Sequence, residues 1–287
     1  MEAQYVRTEP DTQVLVQTQR PENARAEVIF VHGLEGGGNA GYIVSLAYAC
    51  LSHGFVTHRF HMRTCGGTEQ LTNTLYHAGL TSDLRYFIEH RAGPRLPLFL
   101  VGFSLGGNVV LKLAGELGEA AVDKLAGVCA VSTPIDLGAC ARRMKQRDNA
   151  LYQRRFVKRM RQRLIATGRY TAEQFRNARS IYAIDDVITA PSFGFGKAER
   201  YYETQSSRQF LDRIRVPTLL IQAKDDTFIP FRIFEHPALK ANPNVTLVAT
   251  ECGGHLGFLQ KGSHRFWLDE VVPEWILESV TSRAAVS

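Results

Sequence analysis

The sequence predicts an α/β fold in which a mostly parallel sheet is covered by helices and carries a helical insertion. Three observations lead there. Short β-rich apolar runs alternate with amphipathic segments along most of the 287 residues. No internal repeat or low-complexity linker divides the chain, and its composition, 45% hydrophobic and 22% charged, supplies ample core for one large domain. The alternation also breaks only once, between about 138 and 212, and then resumes.

Taken in order, strands are expected at 13–18 (QVLVQT), 26–31 (AEVIFV), 55–60 (FVTHRF) and 96–102 (LPLFLVG). Further strands follow at 125–131 (LAGVCAV), 216–223 (VPTLLIQA) and 245–250 (VTLVAT). Helices are expected between them near 41–53, 78–91, 105–117, 231–240 and 264–280. Residues 1–287 then form one domain, with a helical cap inserted at 138–212. Within the cap, Tyr152, Phe156, Met160 and Leu164 recur every four residues, while Arg154, Arg155, Lys158, Arg159, Arg161 and Arg163 fill most other positions. This is an amphipathic basic helix. It is either a solvated charged face with its apolar stripe docked on the body or a lid whose basic face meets lipid headgroups or acidic substrates.

Several classes are disfavoured. No basic start followed by an apolar block marks the N-terminus, and no window reaches the 18 apolar residues of a membrane span. The reading is a soluble, cytoplasmic protein. Cys50, Cys65, Cys129, Cys140 and Cys252 are odd in number and form no CxxC pair, so neither a disulfide framework nor a metal site is expected. The net charge of +6 sits largely in the basic helix, so no nucleic-acid partner is predicted, and at most that helix touches membrane lipid.

The chemistry starts at Gly102-Phe103-Ser104-Leu105-Gly106, a GxSxG stretch between an expected strand and an expected helix. Small residues two before and two after the serine let strand and helix approach while the serine turns sharply, which is what a nucleophile elbow needs. A tight turn with no chemical duty is the plain alternative. A serine hydroxyl is a poor nucleophile at neutral pH and needs a histidine base, which needs an acid to fix its tautomer. In α/β-hydrolase order the acid and then the histidine follow the serine. Asp226, in AKDDTFIP after one strand, and His255, in ECGGHLGF after the last, stand where open α/β sheets gather their sites. Asp225 competes with Asp226, which is preferred because Pro230 then lies four residues on, a spacing common after the acid in this fold. Oxyanion donors are expected from the backbone N–H of Leu105, just after the nucleophile, and of Leu34 in VHGLEGGG. A phosphate cradle is the other reading of that loop, but it lacks a GKS or GKT ending and a clean GxGxxG.

With these residues in place, the sequence resembles the YheT-like, abhydrolase-type serine esterases of the α/β-hydrolase superfamily from about residue 28 to 277. VHGLEGG is similar to that family's HGLEG opening, Tyr76-His77-Ala78-Gly79 with Asp83 to its YHAG block, and Val131 to Leu137 to its VSxPxDL stretch. Asp185-Asp186 with Thr189-Ala190, Gly194-Phe195 and Tyr201-Tyr202 resemble its cap signature, and Gly253-Gly254-His255-Leu256-Gly257-Phe258 its GGHxGF ending. The chain departs from the pattern at Arg63-Thr64, where the family often has Arg-Gly, and at Asp225-Asp226-Thr227, where it often has Asp-Asp-Pro.

The resemblance implies a serine carboxylesterase acting on short- to medium-chain acyl esters through Ser104, His255 and Asp226, with no cofactor and no metal. It leaves open an acyltransferase or a phospholipase or lipase on the same triad, and a non-enzymatic ligand-binding protein on the same fold. Arg63, Tyr76, His77, Asp83, Tyr201 and Tyr202 are expected to bond the scaffold and clamp the cap to the body. Cys65 is expected near the pocket without being a second nucleophile.

Overall fold

The computed structural model describes residues 1–93, 96–261 and 265–284. A sheet in the order β1-β2-β4-β3-β5-β6-β7-β8 forms its middle. The strands are β1 (Glu2–Glu9), β2 (Thr12–Gln19), β3 (Ala26–Val31), β4 (Phe55–Phe60), β5 (Leu98–Phe103), β6 (Gly127–Val131), β7 (Thr218–Ala223) and β8 (Val245–Thr250). From β4 through β8 every pairing is parallel, whereas β1 and β2 pair antiparallel with each other and β2 with β4. Every residue of β3, β4, β5, β6 and β7 is buried, as expected of strands covered on both faces.

Helices α1 (Gly41–Ser52) and α10 (Leu268–Ala284) pack on one face, burying Ile43, Leu46, Val272 and Ile276 against Phe30, Phe99 and Phe103. Helices α2 (Ser82–His90) and α3 (Leu105–Leu117) cover the other, with Leu84, Phe87, Val110 and Leu113 against Ile29, Leu100 and Val128. Between β6 and β7 there is no strand among the described residues. That segment holds α4 (Leu137–Met144), α5 (Ala150–Ala166), α6 (Ile181–Ile184), a π turn at Asp185–Thr189, α7 (Ala190–Ser192) and α8 (Ala198–Gln205). A short α9 (Pro237–Ala241) precedes β8.

Sequence and structure differ at several places. Strand β1 was not expected, because its pattern is almost wholly exposed and it lies at the sheet edge with only β2 as a partner. The helix expected over 78–91 starts only at Ser82, since the preceding residues hold the Tyr76 to Gly79 turn. The segment expected as one helix over 231–240 is broken at His236. The last helix runs Leu268–Ala284 instead of 264–280, and His264 lies outside the described residues. In α5 the apolar stripe divides. Val157, Met160 and Leu164 are buried with Phe175 and Ile184, while Tyr152 and Phe156 turn to Phe228, with ring centroids 4.7 and 6.0 Å away.

Candidate active site

Ser104 stands where β5 gives way to α3, with φ 51° and ψ −120°. A serine does not adopt this backbone without compensation. The compensation lies in the close crossing of strand and helix. A Cβ on Gly102 would overlap the Gly106 carbonyl, and one on Gly106 would overlap the carbonyls of Val31 and His32. The Ser104 N–H donates to the Val131 carbonyl at 2.8 Å, which ties the turn to β6.

Asp226 follows β7 and His255 follows β8, so both leave the same end of the sheet as Ser104. The His255 Nδ1–H donates to Asp226 Oδ2 at 2.8 Å, and Ser104 Oγ lies 3.0 Å from Nε2. The Asp226 carboxylate is buried and held, because Oδ1 accepts from the N–H groups of Phe228 (2.8 Å) and Ile229 (3.3 Å) and Oδ2 from Gln222 Nε2 (3.2 Å). Asp225 instead accepts from the Gly254 N–H at 2.8 Å and so supports the loop that carries the histidine. The two neighbouring aspartates therefore contact different parts of that loop, and only Asp226 touches the imidazole.

Leu34 is placed by its own peptide plane. The Met62 N–H donates to His32 Nε2 at 3.1 Å, so the ring proton sits on Nδ1 and is donated to the Gly33 carbonyl at 2.8 Å. That carbonyl also accepts from the Gly36 N–H at 3.0 Å. In a trans peptide C=O and N–H point in opposite directions, so the Leu34 N–H faces away from His32. Gly33 packs on the serine: a Cβ built there would lie 3.6 Å from Ser104 Oγ. Among the described residues the Leu34 N–H has no acceptor, and the Leu105 N–H is one of the donors that the first turn of α3 leaves free. Burial holds the His32 pKa down to about 3, so this anchor stays neutral and keeps one tautomer.

Two cavities meet at Ser104 and His255. An inner chamber of about 110 Å³ is walled by Leu105, Leu137, Cys140, Met144, Met160 and Ile229. An outer cleft of about 810 Å³ runs past Tyr42, Tyr152, Arg155, Arg159 and the histidine's own neighbours Gly254 and Leu256. Cys65 lines neither cavity, though Gly66 borders the cleft; it is buried, and burial pushes its thiol up. Among the described residues no cluster of three His, Cys, Asp or Glu side chains is placed to hold a metal ion, and no helix is long and apolar enough to cross a membrane.

Around the site, the residues expected to bond the scaffold each have a partner. Arg63 pairs with Asp83 (2.6 Å) and Glu9 (3.0 Å), which lowers the Glu9 pKa. Tyr201 OH accepts from the Ala78 N–H at 2.8 Å, and Tyr202 OH donates to Asp185 at 2.7 Å. The His77 ring packs on Phe193, Phe195 and Tyr201. Tyr76, expected to clamp the cap to the body, does so through two partners that sequence reasoning did not name. Arg163 of α5 is largely buried and its Nε donates to Glu35 at 2.9 Å, while the Tyr76 hydroxyl donates to the same Glu35 oxygen at 3.1 Å and accepts from the Glu35 N–H at 2.8 Å. Arg163 also donates to Thr64 Oγ1 at 3.2 Å. Thr64 has φ 61°, a left-handed backbone that favours glycine and accounts for the glycine often found there in the resembled family. The Glu in GLEGGG and Tyr76 in the YHAG block are the sequence signals that point to this group; nothing distinguishes Arg163 from its five basic neighbours.

Comparison with known proteins agrees with the fold. A family model described as the alpha/beta hydrolase fold matches residues 27–262. The chain is 33% identical to "Putative esterase YheT" of Escherichia coli (strain K12), over 88% of this chain and 76% of that protein. It is 27% identical to the monoacylglycerol lipase of Saccharomyces cerevisiae, over 87% of this chain but only 58% of the yeast protein. Among solved structures, mouse alpha/beta hydrolase domain-containing protein 10 superposes with a TM-score of 0.64 at 15% identity, covering 98% of this chain and 99% of the mouse one.

Proposed function

This chain belongs to the α/β-hydrolase family, and on that premise we propose that it is a serine carboxylesterase of short acyl chains whose nucleophile is Ser104. The hydrogen-bonded line from Asp226 through His255 to Ser104, lying against the Gly33-Leu34 peptide, carries the reading. His255 Nε2 takes the Ser104 proton as Oγ attacks the ester carbonyl, and Asp226 keeps the ring proton on Nδ1 and stabilises the imidazolium. The tetrahedral oxygen is held by the N–H groups of Leu34 and Leu105, each worth about 3 kcal/mol of barrier. Collapse passes the proton from His255 to the leaving alcohol and leaves an acyl-enzyme. Water, deprotonated by the same histidine, then releases the acid.

The helices between β6 and β7 act as a cap, and the two cavities divide the substrate. The leaving oxygen must lie by His255, whose neighbours Gly254 and Leu256 border the outer cleft, so the alcohol lies there and the acyl group enters the inner chamber. At about 110 Å³ that chamber is smaller than the ~150 Å³ cavity that accepts benzene. Acyl groups of about four carbons should therefore turn over best.

Intact-mass analysis after fluorophosphonate treatment tests the nucleophile. The parent should gain one adduct, and Ser104→Ala should gain none and lose p-nitrophenyl butyrate turnover while melting normally. A folded parent that fails to label, or turnover that survives Ser104→Ala, would refute the assignment. Product analysis in added ethanol separates hydrolysis from acyl transfer.

A further inference from the structure

We propose that Glu35 and Arg163 are positioning residues for the Leu34 oxyanion donor, so that helix α5 of the cap holds part of the catalytic machinery in register. The inference rests on the esterase reading above and adds to it a requirement that the cap be docked for the rate, beyond any role in binding substrate.

Leu34 hangs between two anchors. On its N-terminal side the Gly33 carbonyl is fixed by His32, a residue of the sheet body. On its C-terminal side the Glu35 N–H is fixed by the Tyr76 hydroxyl at 2.8 Å. Glu35 has φ 54°, a left-handed backbone that a glutamate keeps only where its surroundings enforce it. The enforcement comes from its side chain. One carboxylate oxygen accepts from both Tyr76 OH and Arg163 Nε, and the guanidinium lies over the Tyr76 ring, 4.6 Å from its centroid. Arg163 also reaches Thr64 Oγ1, so one cap side chain ties together three separate loop residues.

The pair is largely buried, with side-chain exposures of 10% for Arg163 and 4% for Glu35. A buried ion pair is a poor way to add stability, since apolar residues of the same volume often do as well. Its placement one residue after an oxyanion donor gives it a different use. Undocking α5 would withdraw the guanidinium, free the Glu35 backbone, and leave an uncompensated carboxylate close to where negative charge develops in the transition state.

The test compares the parent with Ser104→Ala, Arg163→Lys, Arg163→Met and Glu35→Gln, using p-nitrophenyl butyrate kinetics, thermal melts and inhibition by butylboronic acid, which mimics the tetrahedral intermediate. Displacing a catalytic group by about 1 Å costs about 100-fold, so Arg163→Met should lower kcat by about that factor with KM changed less than about threefold. Arg163→Lys, which keeps the charge but loses the fork, should recover part of the rate. Glu35→Gln keeps the hydrogen bonds to the side chain and should lose about tenfold in kcat. Boronate affinity should fall in step with kcat/KM. Folded variants that keep the parental kcat, or that lose only KM, would overturn the proposal. Arg163→Lys keeps both buried charges paired and decides the matter should Arg163→Met or Glu35→Gln melt early. Turnover surviving Ser104→Ala would instead remove the esterase reading and the clamp with it, an outcome distinct from an unchanged Glu35→Gln.

Discussion

The sheet body and the helical cap hold their parts of the site by different means. In the body, main-chain geometry does the placing. The strained turn after β5 presents Ser104, the loops after β7 and β8 present Asp226 and His255, and the peptide between Gly33 and Leu34 is oriented by a neutral imidazole. In the cap, side chains do it. The cap shares the body's apolar core through Cys140, Ala190, Ala198 and Tyr201, has a smaller cluster centred on Met160, Leu164, Phe175 and Ile184, and adds polar ties from Arg163 to Glu35, Tyr201 to Ala78, and Asn149 to the Thr227 carbonyl. A site built on backbone keeps its geometry when side chains nearby change. The α5 side of the cap, which rests on the smaller cluster and a few polar pairs, can be re-shaped for another substrate, and it is the part expected to loosen first.

The largest test of this contrast lies in the body. Asp226→Asn should lower kcat for p-nitrophenyl butyrate by about 10⁴-fold, because the imidazole would take the wrong tautomer, while Asp225→Asn, which keeps an acceptor for the Gly254 N–H and loses only the charge, should stay within about tenfold. Next comes the elbow. Gly106→Ala forces a methyl group into the Val31 and His32 carbonyls and should cost about 3 kcal/mol in urea unfolding, since neither backbone can yield. In the cap, Leu164→Ala should cost about 2 kcal/mol, at the low end for such a truncation. Limited proteolysis of that variant should cut between 167 and 180 before any cut in the sheet; simultaneous loss of both regions would mean that cap and body unfold as one unit.

The smallest effect is a difference in the sign of pH dependence. In the cap, burial lifts the Asp185 pKa to about 6 against the hydrogen bonds from Tyr202 and Thr189, so the folded chain binds more protons than the unfolded one between about 4 and 6. This group's contribution therefore falls as pH rises through that window, by at most about 1.4 kcal/mol per pH unit, and Asp185→Asn should remove that slope from a series of melts. In the body, burial holds His32 and His77 near 3, so the unfolded chain binds more protons. Their contribution is complete above about pH 6.5 and is lost as pH falls towards 3. Equal melting shifts for parent and Asp185→Asn at every pH would remove the distinction.

Most of the sheet and the Ser104, Asp226 and His255 line were legible because their signals are local: apolar runs, glycines flanking a serine, a histidine between glycines. Strand β1 was not, since an edge strand with almost every side chain exposed carries no apolar alternation. The clamp was not, because six basic residues crowd α5 and only three-dimensional docking decides which one is buried against Glu35. The choice between Asp225 and Asp226 turned on a few ångströms at the end of β7, which composition does not encode.

On the proposed reading the two cavities also imply an order of events. On the proposed esterase reading, with the acyl group in the smaller chamber and the alcohol in a cleft about seven times larger, the alcohol departs first and the acyl-enzyme is left facing the larger cleft. Whatever enters that cleft next, water or a second alcohol, decides the product. The partition between acid and new ester should then follow the concentration of alcohol in the medium, with the acyl chain already chosen by the smaller compartment.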